Sequence, residues 1–145
     1  MRRRFVSRAG TSIPELAAVL VLTAIILGIA VPRVRLAAER AAVRGAVADI
    51  VTTLSTARQL AVSHGGGVAV SIDSAAGTIH VLRDGDTVTA RPLGRVFGVT
   101  LRSSRDSLAY DGRGLGSGAA NLTFVVLRGT TADTVVVSRL GRVRW

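Results

Sequence analysis

The sequence predicts an α+β protein in which one long N-terminal helix is followed by a small strand-rich domain. Three observations carry this prediction. Residues Ile13 to Val31 form an apolar run containing a single charged residue, Glu15. After Pro32 the apolar residues Val43, Val47, Ile50, Leu54, Ala57 and Ala61 recur at alternating steps of four and three, which places them on one face of a helix. Beyond His64-Gly65-Gly66-Gly67 the apolar period changes to two, as in strands with one buried face.

With 145 residues, 48% of them hydrophobic, and a mean hydropathy of +0.44, the chain is too apolar for a disordered protein. It is also too short for two full domains beside a long apolar helix. The formal charge of +10 comes from 19 basic residues, all arginine, set against nine acids. Such a balance suits contact with nucleic acid or anionic lipid, and equally an ordinary solvated surface. The absence of cysteine excludes disulfides, thiolate catalysis and cysteine-based metal sites, so an exported domain would depend on its core alone.

The N-terminal element is basic: Met1 to Gly10 contains Arg2, Arg3, Arg4 and Arg8 and no acid, which favours keeping this end in the cytoplasm. The run from Ile13 to Val31 reaches about 28 Å at about 1.5 Å per helical residue, close to a bilayer's hydrocarbon thickness of about 30 Å. The run is longer than the apolar core of a secretory signal, and Pro32-Arg33-Val34-Arg35 offers no small-x-small cleavage site. The segment is therefore expected to stay in the mature protein as a single-pass span.

Glu15 sits near the edge of this run, where a charge needs a partner or a proton. A local reading is a capping box from Ser12 to Glu15, with Pro14 tolerated in the first helical turn. A second reading pairs Glu15 with a positive group on another subunit, most simply an amino terminus freed by a cut before Thr11.

The stretch Gly10-Thr11-Ser12-Ile13-Pro14-Glu15-Leu16, followed by an apolar helix, resembles the leader junction of type IV pilins and type II secretion pseudopilins. The resemblance implies that a prepilin peptidase cuts after Gly10 and methylates Thr11, and that Glu15 guides assembly into a filament. Thr11 stands where phenylalanine is usual, and Pro14 where isoleucine is commoner. Pro32 lies where many members have a helix-kinking proline, and the expectation is a kink or local break there. The implied partners are other pilin-like subunits, the peptidase, an inner-membrane assembly platform and membrane lipid, with no small-molecule substrate. The implied location is the inner membrane, with the N-terminus cytoplasmic and the C-terminal domain periplasmic.

Residues 33–63 read as an amphipathic helix half whose stripe packs on the following domain. The resulting organisation is a leader at 1–10, a transmembrane half at 11–32, the amphipathic half at 33–63 and a β-rich domain at 64–145. Strands are expected at Val68–Ile72, Thr78–Leu82, Thr87–Thr89, Val96–Leu101, Leu122–Leu127 and Thr134–Val137, with a short last one near Arg142–Arg144. The run Asp111 to Asn121 reads as a mobile glycine-rich loop, since it lacks both phosphate-binding glycine patterns.

This layout of a long helix and a strand-rich domain resembles the minor subunits called GspH or FimT, whose chains often end near G-R-x-R, as this one does at Gly141-Arg142-Val143-Arg144. Members of the FimT group are associated with DNA capture, and that resemblance falls on Arg142 and Arg144, with Arg139 nearby. Two readings of the tail stand side by side: an edge strand guarded by charge, or a small DNA-binding surface with Trp145 available for stacking.

No catalytic constellation is legible. His64 and His80 lie apart without carboxylates at metal-ligand spacing, no serine sits in a nucleophile elbow, and the aspartates fall near turns, where backbone reasons explain them. No cofactor motif is present. The expected role is structural: a subunit of a secretion or pilus filament, with DNA capture as the alternative.

Overall fold

The computed structural model describes residues 12–117, 121–138 and 140–145. Helix α1 spans Ile13–His64. Its backbone hydrogen bonding begins at Ser12, whose carbonyl accepts from the Leu16 N–H at 3.1 Å. Among the described residues neither side-chain bond of the expected capping box forms, so the first turn is closed by backbone alone. The chain divides into two compact units, Met1–Arg35 and Leu36–Trp145.

Within the first unit the residues from Ile13 onward are helical, and their large apolar side chains are exposed, Leu16, Leu20, Ile25 and Ile26 among them. Thr23 is accommodated by donating its hydroxyl to the Val19 carbonyl at 2.7 Å, which satisfies the one hydroxyl of the apolar run inside the helix. Contrary to the local break expected at Pro32, α1 runs through this residue. The proline ring crowds the carbonyl four residues back, and that residue is Gly28, which has no neighbouring side chain within 4 Å to resist a small adjustment.

The second unit contains the rest of α1 and all the strands. Val43, Ala46, Val47, Ile50, Leu54, Ala57 and Ala61 are buried, so the stripe read from periodicity is the core face of the helix. Three alanines in that face let other elements approach the helix closely. The helix ends in a glycine cap: Gly65 has φ +76°, and the Gly66 N–H donates to the Ala61 carbonyl at 2.9 Å.

Among the described residues nine strands and one short helix follow: β1 (Val68–Asp73), β2 (Thr78–Arg83), β3 (Asp86–Pro92), α2 (Leu93–Phe97), β4 (Thr100–Ser103), β5 (Ser107–Tyr110), β6 (Gly116–Ser117), β7 (Leu122–Arg128), β8 (Thr131–Val137) and β9 (Val143–Arg144). They form two antiparallel sheets, ordered β3-β2-β1-β5-β6 and β4-β7-β8-β9. Alternate residues of both sheets enter one apolar cluster with the helix stripe: Val68, Val70 and Ile72 from β1, Ile79 and Val81 from β2, Leu122, Phe124 and Val126 from β7, Val135 and Val137 from β8. The layout is the α+β arrangement expected. The β1–β2 turn is set by Asp73, whose Oδ1 accepts from the Ala76 N–H at 2.8 Å, and the β2–β3 turn by Asp84-Gly85, both at positive φ.

Three strand expectations are corrected. Val96 belongs to α2 rather than a strand: Leu93 and Phe97, four apart, turn inward while Val96 is exposed, and Gly98 at φ +63° stops the turn. Only then does β4 begin. The interior strand β5, between β1 and β6, is absent from the sequence expectation, and the glycine-rich run contains the short strand β6, paired to β5 through Ala109–Ser117 and Tyr110–Gly116.

At the β7–β8 turn the Thr130 N–H donates to Glu39 Oε2 at 3.2 Å, joining this hairpin to α1. Gly129 is required there, because its φ is +55° and an added Cβ would collide with the Glu39 carboxylate.

The stripe makes Ile50, fully buried, a direct probe of this packing. Ile50→Ala should lower unfolding stability by about 2 to 5 kcal/mol, measured by denaturant unfolding of the full chain in detergent.

Candidate functional site

Of the residues singled out in the sequence, Gly10, Thr11 and Arg139 lie outside the described residues. Glu15 stands in the first turn of α1 with its side chain exposed. A carboxylate in the first turn is favourably placed for the helix dipole. Pro32 lies inside the same helix. Arg142 and Arg144 are exposed and flank the half-buried Val143, so their alternation is that of an extended segment.

The tail is held close to α1 by a compact turn. The Ser138 N–H donates to the Arg142 carbonyl at 2.8 Å, the Gly141 N–H to the Ser138 carbonyl at 2.9 Å, and the Arg142 N–H to Ser138 Oγ at 3.2 Å. β9 then pairs with β8 through Val137–Val143 and Val136–Arg144. Gly141 is buried at φ +69°, where an added Cβ would stand 3.0 Å from the Gly114 carbonyl oxygen and 3.4 Å from the Tyr110 ring. The glycine of the terminal G-R-x-R therefore has a packing reason: only a residue without a side chain lets the two arginines follow so tightly.

Between this tail and α1 lies an open groove of about 850 Å3. Val51, Leu54, Val62 and Val143 give it an apolar lining, and Arg58, Arg142 and Arg144 add three cations. Arg58 joins the two tail arginines although 84 residues separate it from Arg142. On the sequence it reads as one of the polar residues on the solvent side of a helix, and only the docking of β9 gives it company.

Behind the groove is Tyr110, buried at the end of β5. Its hydroxyl finds no hydrogen-bond partner among the described residues. Burial pushes its pKa up to about 12, and the positive charge of Arg58 opposes the rise. The two histidines do not come together with carboxylates, and among the described residues no His, Asp and Glu side chains form a cluster that would hold a metal ion.

The sequence matches, over residues 46–141, the family described as Type II transport protein GspH. The chain belongs to the GspH family. Its fold is similar to that of the type IV minor pilin FimU of Pseudomonas aeruginosa strain PAO1. The FimU crystal structure in space group P21 aligns with a TM-score of 0.62 and 16% identity, covering 72% of this chain and 88% of FimU. A second FimU crystal form, P65, aligns with a TM-score of 0.58 and 16% identity, over 70% of this chain and 90% of that one. No curated protein sequence matches the chain. The family is GspH and the fold is similar to that of a type IV minor pilin, and a long apolar N-terminal helix accompanies them, as the sequence reading expects of a GspH or FimT-like minor pilin.

Tyr110 gives the site a pH signature. Burial favours the protonated phenol, so the folded chain holds this proton more tightly than the unfolded chain. The contribution is intact below the ordinary pKa of 10.0 and is lost as pH rises toward about 12. Stability should fall by about 2 to 3 kcal/mol across that interval. Tyr110→Phe should remove that part of the fall and, because it deletes a buried hydroxyl with no partner among the described residues, raise stability near neutrality by about 1 to 3 kcal/mol. Because the chain has one tyrosine, tyrosinate absorbance reads the same titration directly.

Proposed function

We propose that this GspH-family chain is a minor pseudopilin or minor pilin, made as a membrane-anchored precursor, cut after Gly10 and assembled through α1 into a filament or its tip. The observation that carries the reading is the exposure of a continuous apolar helical surface from Leu16 to Val31 immediately after a first-turn carboxylate, on a chain whose other helical residues serve a folded core. Apolar side chains in such a row need lipid or other apolar helices around them. Before assembly the bilayer would supply that environment, and afterwards the packed helices of neighbouring subunits. Pro32 would let the helix bend as it leaves the apolar zone.

In this account Glu15 sets register. A carboxylate in lipid is costly, and the amino terminus of Thr11 on an adjacent subunit would neutralise it at one axial offset only. At about 4 Å and an effective dielectric of about 20, the attraction is about 4 kcal/mol before desolvation is subtracted. Methylation of Thr11 keeps that amine cationic. The partners of this mechanism are other pilin-like subunits, the prepilin peptidase and an inner-membrane assembly platform, serving a type II secretion system or a type IV pilus.

A second reading, DNA capture by a pilus, is favoured by one observation: Arg142 and Arg144 are both exposed and line one groove. Two or three phosphate contacts would make such binding weak and salt-sensitive, with a slope of about −0.9 per phosphate neutralised.

In cells with an active peptidase and the other pilin-like subunits, Glu15→Ala should insert in the inner membrane and lose Met1 to Gly10, yet fail to join the filament. Normal incorporation of Glu15→Ala would refute the assembly role. A native chain that retains Met1 by mass spectrometry, where its sister subunits are trimmed, would refute the processing step.

A further inference from the structure

The groove beside β9 combines three features that assembly through α1 leaves unused. Its cations are uncompensated: among the described residues no carboxylate lies within 4.0 Å of Arg58, Arg142 or Arg144, while the two ion pairs that do form are Arg83–Asp84 and Arg91–Asp49. Its lining is amphipathic, with Val62 half exposed next to those cations. Its border is a strand edge, since among the described residues β9 is the last strand of its sheet and pairs with β8 on one side only.

We propose that this groove docks an extended acidic segment of a neighbouring pilin-like subunit, which adds to the free edge of β9. An added strand would satisfy the unpaired main chain of β9. Its side chains on one face repeat every two residues, about 6.6 Å apart, which is also the repeat of Arg142 and Arg144 along the tail. Carboxylates at that spacing meet the two guanidinium groups, and the intervening apolar residues turn to Val62 and Val143. Arg58 supplies a third contact from the helix.

Charge complementarity selects this occupant. An edge strand bearing arginines repels basic or neutral strands that would pair with it indiscriminately, and admits an acidic one. A nucleic-acid duplex answers the arginines but presents phosphates alone, which leaves the exposed parts of Val62 and Val143 without an apolar partner. That the segment belongs to a pilin-like subunit rests on the filament reading, whereas the preference for an acidic strand rests on the groove itself.

Fluorescence anisotropy on the purified full chain in detergent micelles tests the proposal, with a short labelled peptide of alternating Asp and Val residues as probe. The chain should bind this peptide, and Arg142→Glu combined with Arg144→Glu should weaken it by about tenfold or more. A peptide of equal charge with prolines replacing the valines, which cannot donate main-chain hydrogen bonds at those positions, should also lose affinity. If the double variant fails to fold, Arg144→Gln carries the same comparison with a smaller loss. No binding of the peptide, equal affinity for the proline peptide, affinity indifferent to the arginines, or tighter binding of duplex DNA through the same arginines would each overturn the proposal. Because the isolated chain is measured, absence of peptide binding leaves the Glu15 assembly result standing. A chain that binds the peptide but never enters a filament would refute the assembly role alone.

Discussion

Burial of one face of α1 between residues 43 and 61 is the constraint on which the rest of the second unit depends. Each sheet has alternate apolar residues on one face, and the helix stripe enters the same cluster as both sets. Fully burying a valine, leucine or isoleucine contributes about 1.5 to 3 kcal/mol relative to leaving it exposed. Val43, Val47, Ile50 and Leu54 therefore supply a substantial part of what holds a small cysteine-free domain together. Without that face, the inner residues of β1, β2, β7 and β8 would confront water. The stripe also carries a buried polar side chain, Thr53.

The same packing places the groove. Residues 51 to 63 of α1 cannot rotate without unburying Leu54, Ala57 and Ala61, so Arg58 and Val62 are fixed in direction by the core. The tail is brought to them by contacts that leave no room for side chains, Gly141 against Gly114 and the Tyr110 ring. One consequence is the buried Tyr110 hydroxyl, which has no partner among the described residues, a cost of about 1 to 3 kcal/mol when such a group is desolvated. Its ring is nevertheless part of the surface on which the tail turn rests. At the other end of the domain, Glu39 receives the Thr130 N–H and hydroxyl, so the helix holds both the β7–β8 turn and, through β8, the strand to which β9 pairs.

How much of this was legible in the sequence follows from the reach of each signal. The helix stripe, the glycine cap and most strands were readable because their periods are local and their apolar residues are branched. Val96–Leu101 misled because a β-branched residue beside a phenylalanine looks like a strand, while the deciding features were Pro92 before the turn and the left-handed Gly98 after it. β5 is hard to read because four residues, Ser107-Leu108-Ala109-Tyr110, offer only two inward-facing positions between aspartates, yet pairing with β1 puts it inside the sheet. The capping reading of Ser12 and Glu15 had the right residue types and not the geometry. For the groove, the tail arginines were visible as a pair; Arg58 was not, since no local pattern connects a helix position to the last strand.

Hydrogen exchange of the full chain in detergent, read amide by amide, tests the central dependence most directly. If the stripe and the sheets form one cooperative core, amides of α1 from Val43 to Ala61 exchange with the same opening free energy as those of β1 and β7. Exchange of that helical segment at markedly lower free energy than the strands, with the strands still protected, would contradict the account, because the sheets would then be holding their fold without the helix.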